Sequence, residues 1–599
     1  MEIEQKIKKL IVEALSSKDF SFNEEDIIIE IPADITNGHY STNIAMRLAS
    51  QLKRNPLEIA QDIVGALEED SAIAKAEAVK PGFINFFLSN RYLLTKISRI
   101  ASNKGDYLNL DTKKGKKVVI EYTDANPFKE FHIGHLYTNS VGESFARLQE
   151  AIGAQVKRAN YQGDIGLHVA KSLWGLEEKL KEEEATFEEL EQVSLEARVR
   201  FLGEAYALGA EYYDDLKDKM VQKEIDEINY YIFSLVSDIK PRESFKKYQE
   251  MNLSEKYKKG RQWCLDYFET IYERLGTTFD YYFFESEVGQ VGLELVMKNV
   301  GSVFEEDDGS IIYRGDEKKN LHTRVFVNKH GVPTYEAKEL GLAFRKGELV
   351  DYDESVVITG NEQTGYFKVV LDALSKLNKD LSEKTTHVPH GMVRLPGKAK
   401  MSSRKGEIVR GDVLLDSVKE KVKNIMEDSE HIDHIDEDDI PLVSEKIAVA
   451  AIKYAFLKVS VGKDITFDVE KSISFDGDTG PYLMYVYSRC NSILKEADFE
   501  NPGGVCIESC MDDPFVKELS ILISRYEKQL LDSSINYSPS TLAQYLFSLG
   551  QTFNSFYQGV RVLDAPDEER EILLTIVKAT MVVMQDGLDK LGIEVVEKM

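Results

Sequence analysis

Two hydrophobic periods alternate along the chain. The opening "MEIEQKIKKLIVEALSS" places apolar residues three or four positions apart, which predicts an amphipathic helix. "STNIAMRLASQLKRNPLEIAQDIVGAL" repeats that spacing, with Pro56 set to open a second helix. "VKPGFINFFLS" predicts a turn at Pro81 and Gly82, then a strand. From the lysine-rich "DTKKGKKVVIEY" to about residue 390, the short apolar runs "KKVVIEY", "AQVKRANYQG", "TRVFVN" and "ESVVITG" alternate with helical spacing. Such alternation predicts a parallel sheet with helices on its faces. The charged block of roughly 174–275, with "EEKLKEEEATFEELEQ", reads as a solvated helical insertion. Beyond the acidic "DSEHIDHIDEDDIPLVSE" the chain is nearly all helical in pattern, with "NPGGVCIESCMDDP" as a long loop.

The predicted fold is therefore α/β and multidomain. An N-terminal α+β domain covers about 1–105, a parallel-sheet domain 115–390, a connector 391–440 and an all-α domain 441–599. A mass of 68.0 kDa fits several cores better than one. Composition adds exclusions. With 43% hydrophobic and 30% charged residues the chain is that of a soluble globular protein, and no run reaches the roughly 20 apolar residues of a membrane span. The first residues lack the apolar core and cleavage site of a signal peptide. Four cysteines (Cys264, Cys490, Cys506 and Cys510) show no paired CxxC spacing, so zinc is not expected, and a reducing cytoplasm fits. A net charge of -28 argues against broad nucleic-acid binding but leaves room for a local basic surface.

Two stretches carry chemistry. "ANPFKEFHIGH" sets His132 and His135 three apart, with Gly134 between them, directly after the strand-like "KVVIEY". In an open α/β sheet the carboxyl end of a strand is where ligands bind. Imidazole N–H groups at a helix start add donors suited to phosphate, and Gly134 leaves space for a flat base. Two polar residues capping a helix would look the same. "LPGKAKMSSRKGEIVR" holds Lys398, Lys400, Arg404 and Lys405 with two serines, a cationic loop suited to the charge that grows on a leaving pyrophosphate.

Together these resemble the two signature sequences of class I aminoacyl-tRNA synthetases. "IPADITNGHYSTNIAMRLAS", "EYTDANPFKEFHIGH", "NYQGDIGLHV", "FDYYFFESEV", "GVPTYEAKELGLAFRK", "GNEQTGYFKVVLDAL", "HVPHGMVRLPGKAKMSSRKG" and "FDGDTGPYLMYVYSR" follow in the order of the arginyl-tRNA synthetase family. The resemblance implies a Rossmann-type catalytic domain, an N-terminal domain that meets the tRNA elbow and a C-terminal anticodon-binding domain. It implies ATP-dependent activation of L-arginine and transfer to the 2′-hydroxyl of the terminal adenosine of arginine tRNA. ATP enters as a substrate with Mg2+, and a monomer is expected. By the same resemblance His132, Gly134, His135, Met401, Ser402 and Ser403 contact ATP, while Lys400, Arg404 and Lys405 grip pyrophosphate. Asn126 holds the substrate carboxylate end and Glu121 its ammonium. Glu285, Tyr335, Glu339 and Gln363 receive the guanidinium. Tyr40 and Asn43 face the tRNA elbow, and Tyr482, Tyr485 and Arg489, on one helical face, face the anticodon loop.

The chain also departs from that family. Asp124 and Ala125 replace a serine-proline pair before Asn126, which alters the substrate contacts expected there. Glu339 replaces an aspartate, lengthening the reach by one methylene. Either Arg404 or Lys405 stands in for the second lysine of the basic signature, Arg404 by position. Other classes are a different class I synthetase, which would need a cationic amino-acid pocket, a small nucleotidyltransferase, which would not need the C-terminal helices, and an inactive tRNA-binding relative.

Overall fold

A computed structural model describes residues 3–32, 34–102, 110–237, 242–396, 409–427, 435–500 and 508–599, the side chains of 508 and 509 excepted. The chain forms two compact units. One comprises Met1–Leu108, Val486–Gln529 and Tyr545–Asp586; the other comprises Asn109–Tyr485, Leu530–Gln544 and Gly587–Met599. The stretch 441–599, expected as one domain, is thus shared between both.

In the first unit the amphipathic helix Ile3–Ser17 buries Ile7, Ile11 and Leu15, the positions its period marks as apolar. Asn55 caps the helix Pro56–Ala66 by accepting the Leu57 N–H at 2.9 Å, and Pro56 takes the first position. Strands β1 (Tyr40–Thr42), β2 (Ile73–Val79) and β3 (Phe83–Leu88) pair antiparallel in the order β1-β3-β2.

The second unit is built on a five-stranded sheet. Its strands are β4 (Lys117–Glu121), β5 (Gln155–Gln162), β6 (Tyr281–Phe284), β10 (Glu354–Gly360) and β11 (Thr385–His390), all parallel, in the order β11-β10-β4-β5-β6. The order reverses between β4 and β10, which places the ligand crevice at their carboxyl ends. Between β6 and β10 a separate antiparallel sheet joins β7 (Glu305–Asp307), β8 (Ser310–Tyr313) and β9 (Arg324–Val327). "TRVFVN" therefore belongs to this small sheet and not to the parallel one. A four-residue apolar run fits either, and the hairpin partner β8 decides it. Short strands β12 (Val393–Arg394) and β13 (Ile465–Thr466) pair parallel.

The expected insertion is the crossover from β5 to β6, running through helices Leu167–Glu182, Leu195–Ala210, Lys219–Val236 and Leu253–Arg274. It is more than a solvated appendage: Leu202, Ile228, Trp263, Tyr267 and Phe268 are buried within it. No helix among the described residues is long and apolar enough to cross a membrane. Cys264 and Cys490 are buried free thiols, while Cys506 lies outside the described residues.

Candidate functional site

The carboxyl end of β4 runs into a segment held in costly backbone conformations. Thr123 (φ +80), Asp124 (φ +51) and Phe128 (φ +65) all lie in the left-handed region, rare for side chains of this size. Neighbouring groups hold them there. Asn139 Nδ2 donates to Thr123 Oγ1 at 3.0 Å, and the Tyr161 N–H donates to Asp124 Oδ1 at 2.9 Å. The Gly163 N–H donates to Asn126 Oδ1 at 2.7 Å, and the Phe128 N–H to Cys264 Sγ at 3.2 Å. A Cβ on Gly163 would stand 2.4 Å from Asn126 Oδ1 and 3.0 Å from Glu285 Oε1, so only glycine lets the two carboxamide and carboxylate groups approach.

His132 and His135 open the helix Ile133–Ala151 and cap it reciprocally. His132 Nδ1 accepts the Gly134 N–H at 3.1 Å, and His135 Nδ1 accepts the His132 N–H at 3.1 Å. Their rings stack at 3.8 Å. Burial, with Lys129 nearby, pushes His132 down to about 4, and burial with His132 and Lys129 holds His135 well below its usual value. Both rings are uncharged at neutral pH. With Nδ1 accepting, the proton sits on Nε2, which leaves each ring one free donor edge. Capping thus uses one edge of each ring and leaves the opposite edge open. Gly134 has a role beyond the one expected, because a Cβ there would meet the His132 ring at 2.9 Å.

A cavity of about 510 Å³ opens beside this pair. Asp124, Asn126, Lys129, His132, Gly134 and His135 form one side, and Thr359, Gly360 and Gln363 at the end of β10 face them. His390 closes it, its Nε2 2.9 Å from Thr138 Oγ1. The segment Lys398–Lys405, including Lys400, Met401, Ser402, Ser403 and Arg404, lies outside the described residues. The described residues bordering it do reach the cavity: Arg394 lines it, and Val409 O accepts the Ile133 N–H at 3.0 Å.

Carboxylates gather next to the cavity. Glu121, 1% exposed, is held by the Lys346 ammonium at 2.7 Å, so the group expected to take an ammonium already has one. Glu285, at the start of the helix Glu285–Lys298, is held by Lys338 at 2.5 Å. Asp164 fixes that helix start by accepting from Ser286 N and Oγ at 2.9 and 2.7 Å and from Arg261 Nε at 2.7 Å. Glu339, on the helix Tyr335–Leu349, has no cation within ion-pair distance among the described residues. Burial, then the charge of Glu121, pushes its carboxyl up to about 8 despite Lys346. Tyr335 opens the same helix, exposed, with the Lys338 ammonium 5.1 Å from its ring.

The structure therefore brings Asn126, His132, Gly134, His135 and Gln363 into one cavity and sets Glu285 and Glu339 beside Glu121 behind it. Lys338, Lys346, Asp164, Lys129 and His390 belong to the same neighbourhood and were not singled out by sequence. One signal was present, since Lys346 follows Glu339 by seven residues, two helical turns along one face.

The residues expected to meet tRNA fare differently. Tyr40 is 1% exposed: all of β1 is buried, and Arg525 Nη2 donates to the adjoining His39 carbonyl at 3.0 Å. A side chain placed there packs the core, contrary to the expected surface contact. Asn43 precedes the helix Ile44–Leu52 without capping it, and its Oδ1 has no hydrogen-bond partner among the described residues. Tyr482 is 8% exposed on the helix Gly480–Glu496, again a core position, while Tyr485 is half-buried. Arg489 donates to Asn554 Oδ1 at 3.2 Å and lies 4.9 Å from the Tyr557 ring.

Residues 96–469 match the family described as tRNA synthetases class I (R), catalytic domain. Residues 5–88 match the arginyl tRNA synthetase N terminal domain, and 483–599 the DALR anticodon binding domain. The arginine–tRNA ligase of Clostridium botulinum is 29% identical, covering 100% of both chains, and that of Borrelia hermsii is 28% identical over 99% of this chain and 98% of its own. In fold the chain is similar to Thermus thermophilus arginyl-tRNA synthetase, with a TM-score of 0.78 at 23% identity and full coverage of both chains. It is also similar to the Plasmodium falciparum enzyme, at 0.75 and 20%, again with full coverage.

Proposed function

The chain belongs to the class I arginyl-tRNA synthetase family, and from that premise we propose how its own residues charge tRNA with arginine. The family reaction uses ATP, arginine and arginine tRNA. In the first step the arginine carboxylate attacks the α-phosphorus of ATP. The bond to the β-phosphate breaks, and pyrophosphate leaves. In the second, the 2′-hydroxyl of the terminal adenosine attacks the arginyl carbonyl carbon, and AMP leaves. Neither step needs a covalent bond to a side chain, so the protein contributes position and charge.

ATP lies in the cavity at the switch between β4 and β10. The Nε2–H edges of His132 and His135 donate to its phosphates, and Lys400 with Arg404 or Lys405 supplies positive charge for the departing pyrophosphate. Mg2+ arrives with the nucleotide phosphates. Asn126 orients the arginine carboxylate, and Tyr335, Gln363, Glu285 and Glu339 surround the guanidinium, with Glu121 acting through Lys346 behind them. tRNA contacts fall to Asn43, Tyr485 and Arg489. The enzyme works as a cytoplasmic monomer.

The observation that carries this reading is two neutral imidazole donors at the cavity together with a buried carboxylate, Glu339, that has no ion-pair cation among the described residues. A guanidinium is always charged and needs such a partner when buried. Purified protein mixed with ATP, arginine tRNA and each amino acid in turn should charge with arginine alone. Charging with another amino acid, or with none, overturns the reading.

A further inference from the structure

Asp124 and the exposed Glu362 line the cavity, Glu121, Glu285 and Glu339 lie close to it, and apart from Glu362 these carboxylates divide into two kinds. Glu121 and Glu285 each hold a lysine ammonium, at 2.7 and 2.5 Å. Asp124 and Glu339 have no cation within ion-pair distance among the described residues. Arginine likewise carries two cations, one at each end of its side chain. Resting on the reading of this cavity as the arginine site, we propose that Asp124 binds the α-ammonium group of the substrate and thereby sets where its carboxylate meets ATP.

The placement follows from the substrate's own connectivity. The α-ammonium and the attacking carboxylate hang on the same carbon, so the ammonium must lie at the nucleotide end. Asp124 lines the cavity together with Asn126, His132 and His135, whereas Glu121 is 1% exposed and does not reach it. Glu339 stands on the helix Tyr335–Leu349 and serves the guanidinium end. The Asp124 carboxylate is also held in one orientation. Its backbone sits at φ +51, its Oδ1 accepts the Tyr161 N–H at 2.9 Å, and its Oδ2 has no hydrogen-bond partner among the described residues.

The surrounding charges fit this role. Glu121 faces Asp124 from its own strand, Glu339 and Lys346 from the helix Tyr335–Leu349, and the buried Tyr272 phenol from the insertion. Burial and Glu121 hold the Asp124 carboxyl well above the usual carboxylate range, with Lys346 opposing. The raised carboxyl favours a bound cation, and the substrate ammonium competes with a proton for the same oxygens.

The test compares L-arginine with its 2-hydroxy analogue, 5-guanidino-2-hydroxypentanoate, which keeps the guanidinium and carboxylate but lacks the ammonium. The KM for arginine and the Ki of the analogue are measured in the tRNA-charging assay. Asp124→Asn should raise the arginine KM roughly 10- to 100-fold, the cost of losing one charged hydrogen bond, with the analogue Ki changed less than about threefold. Glu339→Gln should weaken both ligands alike, because both present a guanidinium. Equal weakening of both by Asp124→Asn, or no change in the arginine KM, overturns the proposal. The unmodified enzyme gives an independent arm should the variant misfold: its preference for arginine over the analogue should shrink as pH falls and Asp124 keeps its proton. A preference constant across pH also overturns it. If the unmodified enzyme charges no arginine, the functional reading itself fails; if it charges arginine normally while these ratios stay fixed, only the Asp124 assignment fails.

Discussion

A helix start at the cavity and a helix carboxylate behind it respond to burial in opposite senses. At His132 and His135 it removes positive charge, keeping both imidazoles neutral. At Glu339 it removes negative charge, raising the carboxyl to about 8. The cost of an ion in a dry pocket explains both. The difference lies in what a ligand does next. On the proposed reading the imidazoles bind an anion with fixed Nε2–H donors and need no change of protonation, because their Nδ1 atoms are committed to backbone N–H groups. On the same reading the Glu339 carboxyl binds a cation and gives up its proton to do so, so neutral donors serve the anion while the carboxyl must ionise for the cation.

Replacing the donors should have the largest effect. His135→Ala should lower kcat by roughly 10²–10³-fold, as for loss of a preorganised donor to transition-state charge, with the arginine KM little changed. A comparable rise in the arginine KM would erase that distinction. Glu339→Gln should raise the arginine KM roughly 10- to 100-fold while leaving the ATP KM within about threefold. Equal effects on both would remove Glu339 from the arginine pocket.

Proton linkage sharpens the contrast next. Arginine binds the ionised form of a carboxyl that titrates at about 8 in the empty site. Its affinity, followed by calorimetry, should therefore climb from pH 6 to 8, the Glu339 proton alone contributing up to about tenfold per unit, and that contribution should level off above. In the absence of arginine the sign reverses. A carboxyl raised from 4.5 keeps its proton in the folded state while the unfolded chain loses it, so stability declines as pH rises from about 4.5 to about 8. Melting curves across that window should show the decline, and saturating arginine should flatten it. An anion-side ligand such as pyrophosphate should leave the pH slope of the arginine affinity intact. The smallest effect concerns tRNA. Arg489→Ala should weaken tRNA binding a few-fold and lower the slope of log K against log salt by about 0.7–0.9. An unchanged slope would exclude a phosphate contact at that residue.

Much of this was legible in linear order. "KKVVIEY", "AQVKRANYQG" and "ESVVITG" became the parallel strands β4, β5 and β10, and "HIGH" became a helix start at the end of β4. Period and punctuation are local signals, and β4 and its helix are local structures. "TRVFVN" went elsewhere because the nearby strand β8 pairs with it, a choice of partner that a four-residue apolar run does not specify. Tyr40 and Tyr482 show the same limit: an aromatic that marks a binding face and one that fills a core are spelled alike.

Residue order was thus enough to establish the family and the crossover pattern and to nominate groups for ATP and arginine, since each is written within a turn or two of chain. Folding in three dimensions chose which carboxylates are already taken. Lys346 reaches Glu121 across 225 positions and Lys338 reaches Glu285 across 53, while Asp124 and Glu339 have no ion-pair cation among the described residues. Which charge remains uncompensated depends on distances between distant segments and on the dryness of the space they enclose, and neither is a property of any short stretch of sequence.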